Sequence, residues 1–208
     1  MRDLSQELTS GQPYPGDPPA RVTPHATMTE DGYRVAELAC STHSGTHVDA
    51  PSHLREDGAS LGAFDVAEFR FDARVLDCTD LGAREQIPAE RVPETDADLL
   101  LVHTGFATHW GDDEYLDHPY LSAPAAERCA GRECAVGLDA ASVDPTPSPN
   151  ASDDEPAGYP AHHALLGAGL PILENLANLS GLPERVTVHG YPLPVDADGA
   201  PARVVAEF

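Results

Sequence analysis

The apolar residues of this chain fall into short runs rather than into long stretches. Each run has the length of a single β-strand, is rich in Val and Leu, and is bounded by polar residues, Gly or Pro. The runs that predict strands are residues 33–38, 74–76, 98–103, 135–138, 185–189 and 202–206. Helices are fewer: Pro and Gly punctuation predicts them at 122–129 and 161–168, and a short one is expected near 61–69. Strands with a few interspersed helices favour an α/β fold.

The length of 208 residues suits one domain with a substantial core, and no strong linker or internal repeat divides the chain. We therefore predict a single domain over residues 1–208. Residues 1–25 are rich in Pro and Gly and are expected to form an irregular arm or loop. Residues 144–160 form a long, Pro-rich and acidic segment, which is typical either of an active-site lid or of a solvated insertion.

Acidic residues dominate the charge of this chain. Asp and Glu number 35 against 12 basic residues, all of them Arg, which gives a net charge of −23. Such a charge repels nucleic acid and anionic membranes, so neither is expected as a partner. The acidic residues are scattered along the chain rather than gathered in a tail. This pattern favours a surface adapted to high salt, and therefore a halophilic source.

Neither a membrane span nor an export signal is expected. No apolar run approaches the roughly 20 residues that a membrane helix needs. The first residues, MRDLSQELTS, lack the basic start and apolar stretch of a signal peptide, which predicts a cytoplasmic protein. The four cysteines form no C-x-x-C pair, so we expect free and mostly buried thiols rather than a zinc knuckle.

The stretch ACSTHSGTHVDAPSH, residues 39–53, concentrates histidines. Its notable residues all have odd numbers: His43, Gly45, His47, Asp49, Pro51 and His53. In an extended chain such residues share one face. A helix is the competing geometry, because two of the histidines have the i, i+4 spacing of a zincin helix, but the zincin Glu is missing and Gly and Pro are poor helix residues. We predict a strand or extended loop, with Gly45 leaving room for an ion near the backbone.

The chemistry of this stretch suits a metal. His43, His47 and Asp49 offer two imidazoles and a carboxylate, a ligand set for Zn, Fe, Mn or Ni. Three protein ligands leave positions for water, as in catalytic metal sites. His53, on the same side, is then free to move protons near neutral pH. The alternative is a cluster of hydrogen-bonded histidines in a polar loop.

A second candidate segment, GYPAHHALLGAGLPILENLANL, lies far along the chain. His162 and His163 fall at the start of the helix predicted at 161–168. Glu174 lies in the apolar setting LPILENL, where an isolated carboxylate is costly unless a partner such as a metal stabilises it. Alone, this segment is only a weak signal, because a histidine at a helix start and a solvent-facing glutamate are more often incidental than ligands.

The segment HSGTHVDAPSH resembles the H-x-G-T-H-x-D-x-P-x-H signature of the metal-dependent cyclase-like hydrolases, a family that includes bacterial kynurenine formamidase and isatin hydrolase. DLSQELTSGQPYPGDP, LVHTGF and YPAHHALLGAGLPILENL also resemble segments of that family, so the resemblance covers essentially the whole chain. It implies the family's α/β fold: a single domain with a twisted mixed sheet bent toward a barrel and surrounded by helices, of the swivelling β/β/α type.

The resemblance also implies a site and an assembly. In the formamidases of this family the matching positions bind two zinc ions, and Mn is the alternative metal. The positions that fall on metal ligands are His43, His47, Asp49, His162 and Glu174. Asp49 would bridge the two ions, and His53 falls on the proton-transfer histidine. Homo-oligomers, dimers or tetramers, are implied as well, with the early arm helping to close a neighbouring active site.

One turn departs from the family pattern. Tyr14 precedes Pro15, Gly16 and Asp17, where the family often has Trp before Pro-Gly-Asp. We expect Tyr14, Pro15 and Asp17 to bind substrate, because this turn and the 144–160 loop fall in regions that face the substrate.

The expected activity is metal-dependent hydrolysis of an amide-type carbonyl in a small molecule, with N-formylkynurenine or a similar formamide as the substrate of an arylformamidase. A lactam or lactone hydrolase of the isatin hydrolase type is the alternative within the family. A metal-binding protein without turnover is the alternative of another class. A complete ligand set with a spare proton-transfer histidine argues against that last alternative.

Overall fold

The computed structural model describes residues 1–208. It contains two α-helices, α1 (Ala123–Ala130) and α2 (Pro160–Gly167), and several short 3-10 turns. The strands are β1 (Arg2–Asp3), β2 (Arg21–Ala26), β3 (Val35–Ala39), β4 (His47–Asp49), β5 (Arg70–Asp77), β6 (Gln86–Ile87), β7 (Leu99–His103), β8 (Tyr120–Leu121), β9 (Ala135–Leu138), β10 (Ile172–Glu174), β11 (Arg185–Pro192) and β12 (Gly199–Glu207).

The main sheet closes on itself. Its order is β12-β11-β5-β7-β9-β10-β4, and β4 pairs again with β12, while the short β1 extends the far end of β12. Four consecutive strands of this order, β5-β7-β9-β10, are parallel to one another. The other strand pairs of the barrel are antiparallel. The expected α/β fold, a mixed sheet bent into a barrel, is confirmed.

The central strand β7 shows how the core is layered. Leu99 and Leu101 belong to an apolar cluster to which all seven barrel strands contribute, and this cluster fills the barrel. Leu100 and Val102, which point the other way, pack in a second cluster with α1 and α2. The strand is apolar on both faces because both faces are covered. The helices therefore lie on the outer face of the sheet.

All six strand predictions fall on strands, although residues 33–38 overlap β3, which lies outside the barrel. There β3 pairs with β2 in a separate, exposed hairpin. The helix predictions at 122–129 and 161–168 correspond to α1 and α2. The prediction of a short helix near 61–69 is wrong. The segment forms two 3-10 turns, because Asp65 between them is extended and caps the second turn.

The two segments singled out by composition differ in their structure. Residues 1–25, expected to be irregular, contain β1 and most of β2. Residues 144–159 contain neither helix nor strand. Cys78, Cys129 and Cys134 are buried and Cys40 is half-buried, all as free thiols, which agrees with the expectation. No helix combines the length and apolarity needed to cross a membrane.

Candidate metal centre

The histidine-rich stretch is less regular than predicted. Only His47–Asp49 forms a strand, β4. Residues 42–46 are turns and bends, and Pro51–His53 is a 3-10 turn. The prediction of one extended segment is therefore wrong outside β4. The side chains converge because the turn folds His43 back beside Asp49, with His43 Nδ1 2.7 Å from Asp49 Oδ1.

Gly45 is needed for the turn and not for ion access. Its φ is +63°, in the left-handed region that favours glycine. A Cβ at this position would lie 3.0 Å from Leu8 Cδ1 and 3.3 Å from Leu8 Cα. The expectation that Gly45 leaves room for an ion is therefore wrong, because the space beside it is filled by the N-terminal segment.

The register of the sheet brings the distant ligands to the first ones. Glu174 on β10 lies opposite His47 on β4, and Gly199 on β12 lies opposite Asp49. His162 enters from the first turn of α2, on the outer face of the sheet. Gly199 has a steric role, because a Cβ there would lie 2.7 Å from His43 Cε1. The absence of a side chain at Gly199 therefore makes room for the His43 ring.

The five predicted ligands form two groups that share Asp49. His43, His47 and Asp49 bring their ligand atoms within 4.8 Å of one another, as do Asp49, His162 and Glu174. His47 Nε2 lies 3.1 Å from Asp49 Oδ1. On the other side, His162 Nε2 lies 3.7 Å from Asp49 Oδ2 and 3.4 Å from Glu174 Oε1. The two oxygens of Asp49 thus face different groups. His163, the neighbour of His162, is exposed.

Burial and mutual interaction shift the pKa values of these groups. Burial, reinforced by the Asp49 carboxylate, raises the pKa of Glu174 to about 7. Burial also disfavours ionised Asp49, but the surrounding histidines outweigh it and hold the pKa of Asp49 well below its usual value. Burial opposes the charge on His162, yet the hydrogen bond to Asp144 and the nearby carboxylates of Asp49 and Glu174 raise its pKa to about 10. The cluster therefore favours positive charge between its carboxylates.

A divalent cation fits these residues. His47 Nδ1 lies 2.9 Å from the Gly45 carbonyl oxygen and donates to it, which leaves Nε2 facing Asp49 and Glu174. His47 Nε2 and Asp49 Oδ2 are both buried without a hydrogen-bond partner. Buried polar atoms without partners are costly, and a metal ion would satisfy both. Imidazole and carboxylate ligands suit Zn or Mn.

His53 lies beside the cluster. Its ring centroid is 4.0 Å from that of His43 and 6.0 Å from that of His162. Its Nδ1 lies 3.3 Å from Asp198 Oδ2. Burial lowers the pKa of His53, although Asp49 and Asp198 oppose this shift. Burial therefore favours the neutral form of His53, whose Nδ1–H donates to Asp198.

Sequence reasoning missed three residues that support the site. Asp144 Oδ2 accepts a hydrogen bond from His162 Nδ1 at 2.8 Å, which orients that ring. Asn175 donates to the Gly45 carbonyl oxygen and accepts from the Tyr115 hydroxyl. Asp198 contacts both His43 and His53. An aspartate after a strand-like run signals Asp144 only weakly, and nothing local marks Asp198.

The cluster lies in a cavity of about 520 Å³. Four aromatic side chains contribute to its wall: Tyr14, Trp110, Tyr115 and Tyr159. Of the residues expected to bind substrate, Tyr14 and Asp17 line the cavity, whereas Pro15 is exposed and lies outside the lining. The volume and aromatic wall suit a small aryl compound.

Comparison with known proteins places this fold and site in a family. A family model described as "Putative cyclase" matches residues 2–145. Kynurenine formamidase of Bacillus thuringiensis (strain Al Hakam) is 31% identical over 208 residues, which cover 98% of this chain and 95% of that protein. The solved structure of an isatin hydrolase bound to the product analogue thioisatinate has a TM-score of 0.87 at 20% identity, covering 99% of this chain and 90% of that one.

A second solved structure, of a potential metal-dependent hydrolase with cyclase activity, has a TM-score of 0.78 at 25% identity and covers 99% of this chain and 96% of its own. The isatin hydrolase likeness shows a shared fold. The family model and the formamidase relative extend the likeness to the sequence. This chain therefore belongs to the putative cyclase family.

Proposed function

We propose that this protein is a metal-dependent hydrolase that cleaves a non-peptide, amide-type C–N bond, and that its substrate is N-formylkynurenine or a similar aryl formamide. The observation that carries the proposal is the buried Asp49, which both groups of ligands share, while the other four ligands line an aromatic cavity. The formamidase relative supports the formamide, and the aromatic wall supports the aryl part.

The proposed ligands are His43, His47 and Asp49 for one ion, and Asp49, His162 and Glu174 for a second. Zn is the proposed metal, with Mn as the alternative. Such an ion supplies Lewis-acid chemistry, because it polarises a carbonyl oxygen and makes water more acidic.

The residues around the ions would move protons and hold the substrate. His53, neutral near pH 7, takes the proton of the attacking water and returns it to the leaving amine, while Asp198 fixes its ring. The Tyr14 hydroxyl is buried without a hydrogen-bond partner, and burial raises its pKa, so it remains a donor. Tyr14 is the proposed substrate contact, and Asp17 follows on the same turn.

The function is tested by hydrolysis of N-formylkynurenine and isatin by protein loaded with Zn or Mn, with metal content measured in parallel. Turnover of N-formylkynurenine supports the formamidase, and turnover of isatin alone supports the lactam hydrolase instead. Bound metal with neither activity, and none on simple formanilides, would contradict the hydrolase and favour a metal-binding protein without turnover.

The role of His53 has its own test. His53→Ala is expected to lower kcat by roughly 10²- to 10⁴-fold, the usual contribution of a general base. Its metal content should match that of the unaltered protein, because His53 is not a proposed ligand. An unchanged kcat would rule out this role.

We further propose that the protein is a homodimer or homotetramer. The β2–β3 hairpin projects from the barrel with Val22, Val35 and Leu38 each about half exposed. Val22 pairs with Leu38 across the hairpin, and neighbouring exposed apolar side chains support an interface. Light scattering after size-exclusion chromatography tests this, and a monomer at micromolar concentration would contradict it.

The acidic composition supports the proposal of a halophilic protein. With 35 acidic and 12 basic residues, self-repulsion should weaken the fold in dilute buffer and be screened by salt. The melting temperature is expected to rise steeply between low salt and molar KCl. A melting temperature independent of salt would contradict the halophilic assignment.

A further inference from the structure

The substrate cavity contains carboxylates but no arginine. The chain has 12 basic residues, all Arg, and none of them lines the cavity. Asp17 and Asp198, neither of them a proposed metal ligand, are part of the lining. One part of a substrate lies away from the reacting carbonyl. The cavity wall that faces this part therefore carries negative charge or no charge.

Asp17 is held in place by its own turn. Its backbone N–H donates to the Tyr14 carbonyl oxygen at 2.9 Å, and Gly16 between them has a φ of +105°. The Ser41 hydroxyl donates to Asp17 Oδ2 at 3.1 Å. The same turn carries Tyr14, so both residues line the cavity from one short segment of the chain.

No other group in the cavity replaces the missing arginine. Carboxylates are usually bound by a guanidinium, an ammonium or free N–H groups at a helix N-terminus. The N-terminus of α2 lies at the cavity, but the N–H groups of Ala161 and His162 already donate to Asp144, at 2.9 Å each. An anionic substituent on the substrate would thus find no cationic partner remote from the metal ligands.

Resting on the proposed function, we propose that the cavity selects acyl amines whose amine part is uncharged or cationic and discriminates against anionic ones, with Asp17 as the specificity-determining residue. N-formylkynurenine meets this requirement through its ammonium group, which offsets its carboxylate. Repulsion between two like unit charges about 8 Å apart, in a medium of intermediate dielectric constant, lowers a binding constant on the order of 10-fold. Discrimination of that size is expected.

The test uses three formanilides that differ only in charge at the para position: methyl, carboxylate and aminomethyl. For the metal-loaded protein, kcat/KM is expected to be about 10-fold lower for the carboxylate than for the methyl compound, and at least as high for the aminomethyl compound. Asp17→Asn should shrink the difference and Asp17→Arg should reverse it. Asp96→Asn is the matched control, because it removes the same charge from a fully exposed site outside the cavity.

Equilibrium binding gives a second readout. Calorimetry with the three corresponding anilines, which are the products, should give the same order of affinity. The differences in affinity between the three anilines should shrink as the KCl concentration rises, because salt screens exposed charges. An anionic compound that binds and reacts as well as the neutral one, or an equal effect of Asp17→Asn and Asp96→Asn, would overturn the inference. If none of the formanilides is hydrolysed, the proposed function fails, and the binding order of the anilines alone decides the charge selection.

Discussion

Replacing Asp144 by Asn should separate metal binding from folding. Asp144 is buried, 1% exposed, and accepts three hydrogen bonds. Oδ1 accepts from the Ala161 N–H, and Oδ2 accepts from the N–H and the Nδ1–H of His162. The last of these bonds fixes the ring so that Nε2 faces Asp49 and Glu174. The Asn side chain has only one oxygen, so at least one donor would face another donor.

The expected size of the effect follows from these contacts. A buried donor left without an acceptor costs about 1–3 kcal/mol, so the metal-free variant should lose that much unfolding free energy. Loss of the partner of a ligating histidine typically weakens metal binding about 10- to 100-fold. Both effects should appear in Asp144→Asn, the first in urea unfolding without metal and the second in competition titration with a zinc chelator.

Asp139→Asn is the matched control. Asp139 is also 1% exposed and accepts three hydrogen bonds, from Thr104 N, Thr104 Oγ1 and Gly105 N. It contacts no proposed ligand, so its variant should lose similar stability and keep the metal affinity of the unaltered protein. Equal loss of zinc affinity in both variants, or unchanged affinity in Asp144→Asn, would refute the reasoning.

Three other predictions concern packing, ion pairing and pH. Gly199→Ala should displace His43, because its Cβ would lie 2.7 Å from His43 Cε1, and should weaken zinc binding roughly 10-fold or more in the same titration. Arg84→Met, which breaks a partly buried ion-pair network, should lower the free energy of unfolding in urea by about 1–3 kcal/mol, whereas Arg185→Met, at an exposed ion pair, should change it much less. Burial lowers the pKa of His118 from 6.5 to about 4, so the unfolded chain gains its proton first and stability is lost as pH falls through that window. Unfolding free energy should therefore drop by about 2 kcal/mol more between pH 7 and 5 than in His118→Gln.

Much of the site could be predicted from one short stretch of sequence, because three of its five proposed ligands lie in that stretch. His43, His47 and Asp49 lie within seven residues, so their spacing alone suggested a common ligand set. Their geometry was misjudged: alternation was inferred over the whole stretch, whereas only His47–Asp49 is extended. Gly45 has a positive φ, and a Cβ there would meet Leu8, a contact between residues far apart in the chain that local sequence does not reveal.

The rest of the site depends on strand register, which sequence patterns do not specify. Glu174 faces His47 because β10 pairs with β4 in one register, and a shift by one residue would turn its side chain to the other face of the sheet. Asp198 reaches His53 because β12 closes the barrel against β4. Motif resemblance identified Glu174, and nothing in the sequence identified Asp198.

The pairing of β12 with β4 has a consequence for biosynthesis. β4 leaves the ribosome early, yet it lacks both neighbours until β10 and then residues 199–201 have been made. Throughout that interval His47 and Asp49 lie on a strand segment that has neither of its two neighbouring strands. Assembly of the proposed metal site must therefore follow synthesis of residues 199–201, which complete the pairing around β4. Truncation even a few residues before Gly199 should leave a polypeptide that binds zinc weakly and without preference.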